Sequence, residues 1–550
     1  MNSNIVNMLN GDFLTNSIES LSLTESSKKG VQKWINHLPM LNVGQTGKQL
    51  CITLDELMLV NLPDTTHFEI IEVIRTPLYN IIDSLTKKYN NQNIKLDKRA
   101  KSICILVHKL RTNSAMIYSG IAIRSAEKYQ KEDFGFFKFY KKKALLTLIS
   151  KAIHRGLTEF FHLLSHSQTL QLPDSKGMWL RIHELYRLAV SLGLTDFSLS
   201  DEKQKYGKAQ TIEQIYLRSI FLSLCQTDQL RRSDAKIISQ LTELWSHLLK
   251  FSDGQSEKYR CFVDTFVDAA TIYTNQFDQS NPHILNFDSS GLLKHLENLN
   301  AHSPQAIHAD ETTLLSTLLH FHLVQALEPR KARLSDRAVE ESMIFMEFGL
   351  IASHFQLAGL RSFEEVIQTE HIISNDDFST LRSDSQKHDK EAKKNSDNHY
   401  SELYQGEITN ISPRGYCIRW VGTLPSVLRR GELICIKKNK DSAWSVGVIR
   451  WIQDHESSNI EFGVEIISDY IIACSARVTY ESGYSSDYMR TLFLPKTAEN
   501  SYDSIIAPTL FSEAEKISIR LGSEEFLVKV TRKIIVTNGF SQIEFSIIDK

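Results

Sequence analysis

The sequence predicts a multidomain protein with a mainly α N-terminal region of helical hairpins. All-β sequence follows, forming a small barrel and a further C-terminal β segment. Three observations predict this. Apolar residues recur at helical spacing from about Gly30 to Gly359, the stretch Ser374 to Tyr400 is almost free of apolar side chains, and beyond it the apolar period falls to two. At 550 residues the chain also exceeds the roughly 100 to 200 residues that one core organises. Boundaries are therefore expected at 1–29, 30–373, 374–400, 401–470 and 471–550.

Residues 1–29 read as a variable N-terminus. The opening MNSNIVNMLNGDFLTN lacks the basic and then apolar stretch of a secretory signal, and nowhere do ~18 apolar residues run uninterrupted. The seven cysteines are scattered with no C-x-x-C pair, which suits a reducing compartment. A cytoplasmic protein without a membrane span is expected. With 63 Lys and Arg against 65 Asp and Glu, no global field favours DNA, RNA or an anionic membrane, so an anionic ligand needs a local basic patch.

In the helical region, Phe68, Ile71, Leu78, Ile82, Leu85 and Tyr89 line one face of a helix over Thr66 to Tyr89. Thr66 and Glu69 have the spacing of a capping box, and Pro77 is expected to kink the helix. The same reading gives helices over Asp97 to Tyr129, Tyr140 to His166, Ser175 to Leu194, Thr211 to Gln226, Ser233 to Phe251, Glu311 to Leu327 and Asp336 to Leu357. No fixed period marks them as repeats; such an array serves as an interaction surface.

The polar stretch 374–400 cannot contribute to a core and reads as an exposed linker. After it come IRWVG, ELICIKK, SVGVIRWI and NIEFGVEII, short β-type runs separated by turn residues. KISIRL, EFLVKV, KIIVT and QIEFSII follow, with Asn538-Gly539 a hairpin signal, so the last third holds two small barrels or one extended one.

One segment carries a specific motif. From Asn410 the chain reads N-I-S-P-R-G, followed by Y-C-I-R-W, then L-R-R-G-E-L-I-C-I, W-S-V-G-V-I-R-W and I-E-F-G-V-E-I-I. Over about Tyr404 to Ser468 this resembles the PilZ family of cyclic di-GMP receptors, whose [D/N]-x-S-x-x-G pattern is met by Asn410, Ser412 and Gly415. The resemblance implies a small barrel in a bacterial, non-enzymatic signalling protein. It also implies cyclic di-GMP as the ligand, with no cofactor and no metal.

The chemistry fits the residues. A cyclic dinucleotide offers two guanine Hoogsteen edges and two phosphates, which call for forked cations, polar acceptors and close backbone approach. Asn410 and Ser412 supply polar contacts, Gly415 permits a positive φ or a near approach, and Arg414 and Arg419 are the nearest guanidinium groups. In PilZ receptors the decisive cations form an R-x-x-x-R pair just before the barrel. Here that pair is missing: Lys390 and Lys394 stand at the same spacing, and Arg382 is followed four residues later by Gln386. Lysine lacks the planar fork, and each bidentate guanine contact is worth ~1 to 3 kcal/mol.

Two readings follow. In one, the barrel senses cyclic di-GMP and the helical region contacts a protein partner. In the other, a degenerate barrel acts as a ligand-independent scaffold, and Asn410, Ser412 and Gly415 merely form a turn that favours such residues. Arg429 and Arg430 read as a solvated turn and Lys437 to Lys440 as an exposed loop. Cys417 and Cys435 read as small core hydrophobes. His162 and His166, four apart on a helix, have the spacing of a zinc pair but lack the Glu of H-E-x-x-H, so they read as structural. No phosphate loop, nucleophile elbow or dinucleotide fingerprint is present.

Overall fold

A computed structural model describes residues 18–549 except 90–96, 133–138, 171–173, 201–203, 208, 226–229, 231, 253–260, 272–282, 300–305, 328–337, 369–402, 413, 421–424, 426, 440–441, 455–459, 481–483, 497–501, 514–515 and 523. The predicted linker, including Lys390 and Lys394, lies outside the described residues. The chain divides into two compact units, one essentially residues 1–332 and the other 333–550.

The first unit is helical, with α1 (Lys28–Asn36), α2 (Val43–Leu59), α3 (Asp64–Thr86), α4 (Lys98–Lys131), α5 (Phe139–Leu170), α6 (Met178–Ser191), α7 (Ile212–Leu224) and α8 (Arg232–Trp245). Amphipathic spacing explains them. On α3, Ile70, Ile71, Ile74, Leu78, Ile81, Ile82 and Leu85 are all at most 1% exposed, each contributing ~1.5 to 3 kcal/mol by leaving water. The helix runs through Pro77 and starts at Asp64 behind Pro63, so Thr66 and Glu69 are not its cap. A true capping box stands at α7, where Thr211 and Gln214 satisfy each other's backbone amides.

Ionic groups link the long helices. Arg155 Nε of α5 lies 3.2 Å from Glu72 Oε1 of α3, and Tyr118 of α4 donates its hydroxyl to the same oxygen at 2.6 Å. Tyr79 of α3 donates to Glu159 Oε1 of α5 at 2.5 Å, and Arg75 Nε is 3.7 Å from that atom.

The predicted helix Ser233 to Phe251 ends early: its last residues enter β3 (Lys250–Ser252), which pairs with β5 (Ile284–Asp288), itself paired with β4 (Phe262–Asp264). A two-stranded ribbon, β1 (Ser198–Leu199) with β2 (Gln210–Thr211), precedes α7. Helices α9 (Ser290–Asn298), α10 (Ala309–Leu314) and α11 (Thr317–Leu327) complete the unit, the last two replacing the single helix read over Glu311 to Leu327. Among the described residues no helix is long and apolar enough to cross a membrane.

The second unit holds two closed six-stranded barrels. The first contains β6 (Ala338–Phe348), β7 (Tyr404–Ser412), β8 (Gly415–Trp420), β9 (Leu433–Lys437), β10 (Ser445–Asp454) and β11 (Ile460–Ser468), in the order β10-β11-β8-β7-β6-β9. Here the helix read over Asp336 to Leu357 is corrected. Residues 338–348 are a strand paired to β7 and β9, and only α12 (Gly349–Leu357) is helical. β7 pairs with the strand up to Met346 and β9 with Phe345 to Phe348, and Ile344, Met346 and Phe348 are buried at alternate positions.

The second barrel has the order β12-β13-β14-β17-β16-β15, with β12 (Ile472–Thr479), β13 (Met489–Leu494), β14 (Ser504–Ala507), β15 (Lys516–Leu521), β16 (Glu524–Val536) and β17 (Ser541–Asp549). Asn538-Gly539 lies in the β16–β17 hairpin, as its sequence predicts. A shared apolar cluster joins the barrels: Leu433, Val446 and Val448 of the first meet Leu492, Leu494, Ile506 and Phe540 of the second. Helix α12 packs at this seam, where buried His354 bonds through Nε2 to Cys474 O at 3.0 Å. Short α13 (Phe363–Gln368) packs on β12.

Candidate functional site

The N-I-S-P-R-G segment forms the corner between β7 and β8. Strand pairing brings Ser412 opposite Gly415 and Ile411 opposite Tyr416, with a bulge between Ile408 and Asn410 that re-aims the strand end. Ser412 Oγ donates to Gly415 O at 3.3 Å, closing the turn. Pro413 lies outside the described residues. The corner is also tied to β11, because Ile466 N donates to the Arg414 carbonyl at 2.9 Å.

Gly415 is required by close approach and not by a positive φ, which among the described residues it does not have. A Cβ built on it would lie 2.2 Å from Val464 O, in the backbone of β11. The motif glycine therefore lets β8 and β11 meet at the corner. Of the two chemical reasons for a glycine here, the near approach holds, and it is made to the protein's own backbone.

The predicted cations divide sharply. Arg414 is exposed, and among the described residues its guanidinium has no partner. Arg419 lies between two carboxylates on the neighbouring strands, with Nη2 3.2 Å from Glu461 Oε1 and Nη1 3.7 Å from Glu407 Oε2. Register explains this: Glu407 and Glu461 are the residues opposite Arg419 on β7 and β11. Arg419 is thus already neutralised, whereas Arg414 remains available to an anion.

Cross-strand register also reveals residues that sequence reasoning missed. Asn410 stands opposite Cys417, Cys417 opposite Gly463, and Gly463 opposite Trp451. A Cβ on Gly463 would fall 2.0 Å from the Trp451 indole Nε1, so the indole rests directly on the glycine backbone. Half-buried Trp451 and Asn410 therefore lie along one row of the barrel wall. The only trace in the sequence is a glycine inside a strand run, which marks a close approach.

The other basic residues nearby are engaged. Arg430 donates to Ile452 O at 2.5 Å, so it braces the β9–β10 region and is not merely solvated. Lys437 is only 4% exposed, its Nζ 5.6 Å from the Trp444 ring centroid, which removes it from the exposed loop read over Lys437 to Lys440. Arg450 pairs with Glu465 at 2.6 Å. Cys417 and Cys435 are buried, and burial pushes the Cys435 thiol up to about 12.

The histidine pair lies in the helical unit. His162 packs edge-on against Tyr79 and Phe161, and His166 Nε2 is 2.7 Å from Tyr89 Oη. His320 and His322 bond to the Leu296 and Cys225 carbonyls. Among the described residues no cluster of three or more His, Cys, Asp or Glu is arranged to hold a metal.

Comparison with known proteins agrees with this architecture. A family model described as the N-terminal domain of the cyclic-di-GMP receptor FimW matches residues 29–256. One described as its middle PilZ domain matches 261–400 and 374–471, and one described as the FimW C-terminal beta-barrel domain matches 474–548. The chain is 25% identical over 568 residues to the "Cyclic-di-GMP receptor FimW" of Pseudomonas aeruginosa, covering 96% of this chain and 91% of that protein. No solved structure matches it. Three domain models follow one another in the chain order of the helices and the two barrels, the middle one starting at residue 261 within the helical unit, and make this chain a FimW-like PilZ-domain protein with a helical N-terminal region, a middle PilZ barrel and a C-terminal β-barrel.

Proposed function

We propose that the chain is a non-enzymatic, cyclic di-GMP-responsive adaptor that binds the dinucleotide on the wall of the first barrel and contacts a protein partner through its helical unit. The observation that carries this reading is the exposed guanidinium of Arg414, without a partner among the described residues, on a corner of family sequence beside a row holding Asn410 and Trp451. Arg414 can pair with a phosphate or a guanine edge, Asn410 and Ser412 offer polar contacts, and the indole offers a stacking face. Lys390 and Lys394 of the preceding segment would add point charges to the phosphates. The name of the Pseudomonas relative supports the choice of ligand.

A calorimetric titration of the full chain tests this. Cyclic di-GMP is expected to bind in the micromolar range, and heat no greater than that of a GMP control excludes the sensing role. Two observations favour the scaffold reading instead: the R-x-x-x-R pair is replaced by lysines, and Arg419 is held by Glu407 and Glu461. Joint substitution of Asn410 and Ser412 by Ala separates the two. Loss of ligand response with retained folding supports the sensor; an unchanged cellular phenotype supports the scaffold.

A further inference from the structure

Where α3, α4 and α5 pack, three buried guanidinium groups, Arg75, Arg111 and Arg155, stand against two carboxylates, Glu72 and Glu159. Arg155 pairs with Glu72, and Arg75 lies 3.7 Å from Glu159. Arg111 on α4, only 9% exposed, forms no ion pair among the described residues. Its guanidinium carbon lies 5.8 Å from the Tyr79 ring centroid, and its Nε and Nη1 are buried with no hydrogen-bond partner among the described residues.

Two imidazoles stand in the same place with the same defect. His108, one turn before Arg111 on α4, and His166 on α5 have ring centroids 6.4 Å apart, and they are 2% and 9% exposed. Each uses Nε2 on a hydroxyl: His108 on Ser175 Oγ at 3.2 Å, His166 on Tyr89 Oη at 2.7 Å. Each leaves Nδ1 buried and, among the described residues, without a hydrogen-bond partner. If each hydroxyl donates to Nε2, the neutral ring carries its proton on Nδ1. Burial keeps both rings neutral at pH 7, assisted at His166 by the charge of Arg111.

In that tautomer both Nδ1 atoms are donors, as are Nε and Nη1 of Arg111, whose guanidinium forms no ion pair among the described residues. Water could satisfy the donors but not the charge, and an unpaired buried ion is strongly unfavourable. We propose that a compact oxyanion, a phosphate or carboxylate group, is bound between α4 and α5 by Arg111, with the Nδ1–H groups of His108 and His166 as further donors. The site is independent of the barrel, and its occupancy governs the stability of the helical unit.

The test uses the full chain exchanged into chloride buffer, melted at constant ionic strength against increasing inorganic phosphate or acetate, beside Arg111→Met. Wild type is expected to show a saturable rise of about 5 °C at a hundredfold excess over Kd. A response to phosphate alone or to acetate alone assigns the group. Arg111→Met is expected to lose the response while melting in chloride at or above wild type. Ion chromatography of denatured, desalted protein covers a site filled before purification, with about one equivalent of oxyanion from wild type and none from the variant. Should Arg111→Met fail to fold, His108→Asn is expected to raise the half-saturating concentration several-fold. The proposal is overturned if wild type shows neither response nor released oxyanion, so that the niche holds water only, or if the variants respond like wild type.

Discussion

Replacing Gly415 by Ala is the sharpest test of how the corner is built. The added methyl would lie 2.2 Å from Val464 O, over 1 Å short of ordinary contact at 3.4–4 Å. The obstructing atom is backbone in a strand paired on both sides, to β8 and to β10, so no side-chain rotation relieves the clash. Overpacking of this kind costs ~1 to 3 kcal/mol, and a backbone obstacle puts it at the upper end. For a unit of about 200 residues each kcal/mol shifts melting by about 2 to 4 °C, so a fall of roughly 5 to 10 °C is expected. Scanning calorimetry of the full chain measures it. Gly44→Ala is the control: it lies in α2 with nothing within 4 Å of the added methyl, and its effect is neutral or stabilising by up to ~1 kcal/mol. If Gly415→Ala melts within about 1 °C of wild type, the close-approach account of the motif glycine is wrong.

The remaining predictions concern ligand affinity, capping, pH and domain limits. Arg414→Ala is expected to weaken cyclic di-GMP binding by about 5- to 150-fold in calorimetry, the loss of one good contact of ~1 to 3 kcal/mol, without lowering the melting temperature. Arg419→Ala should change affinity little and stability by less than ~1 kcal/mol, since it removes a partly exposed ion pair; equal effects of the two substitutions would contradict the division of roles. Thr211→Ala, which breaks the capping box of α7, should destabilise the helical unit by about 1 kcal/mol in denaturant unfolding. His67, His108 and His183 are held at about 4 chiefly by burial, against about 6.5 unfolded. Between those values the unfolded chain takes up protons that the folded chain refuses, so melting temperature should fall steadily from pH 6.5 toward pH 4, and a rise on acidification would refute the assignment. A fragment beginning at residue 375 lacks β6 and should fail to give the cooperative melt that one beginning before residue 338 gives.

Much of this was legible because burial leaves a periodic imprint. The α3 to α8 helices stand close to where amphipathic spacing predicts them, since each buries one stripe. Residues 338–348 misled for a stated reason. AVEESMIFMEF is rich in Glu and Met, which favour helix, and pairing with β7 and β9 overrides that propensity. At the site, Asn410, Ser412 and Gly415 are adjacent in sequence and so could be found there. The neutralisation of Arg419 by Glu407 and Glu461, and the seat of Trp451 on Gly463, depend on which residues face each other across strands. A single sequence does not specify that register; closure of the barrel does.

The most direct examination of the ligand account is hydrogen exchange of the full chain with and without cyclic di-GMP. Protection concentrated in the β7–β8 corner and in the β10 and β11 segments around Trp451 and Gly463 is predicted. Protection confined to the helical unit, or none at a concentration that saturates the calorimetric signal, would contradict it.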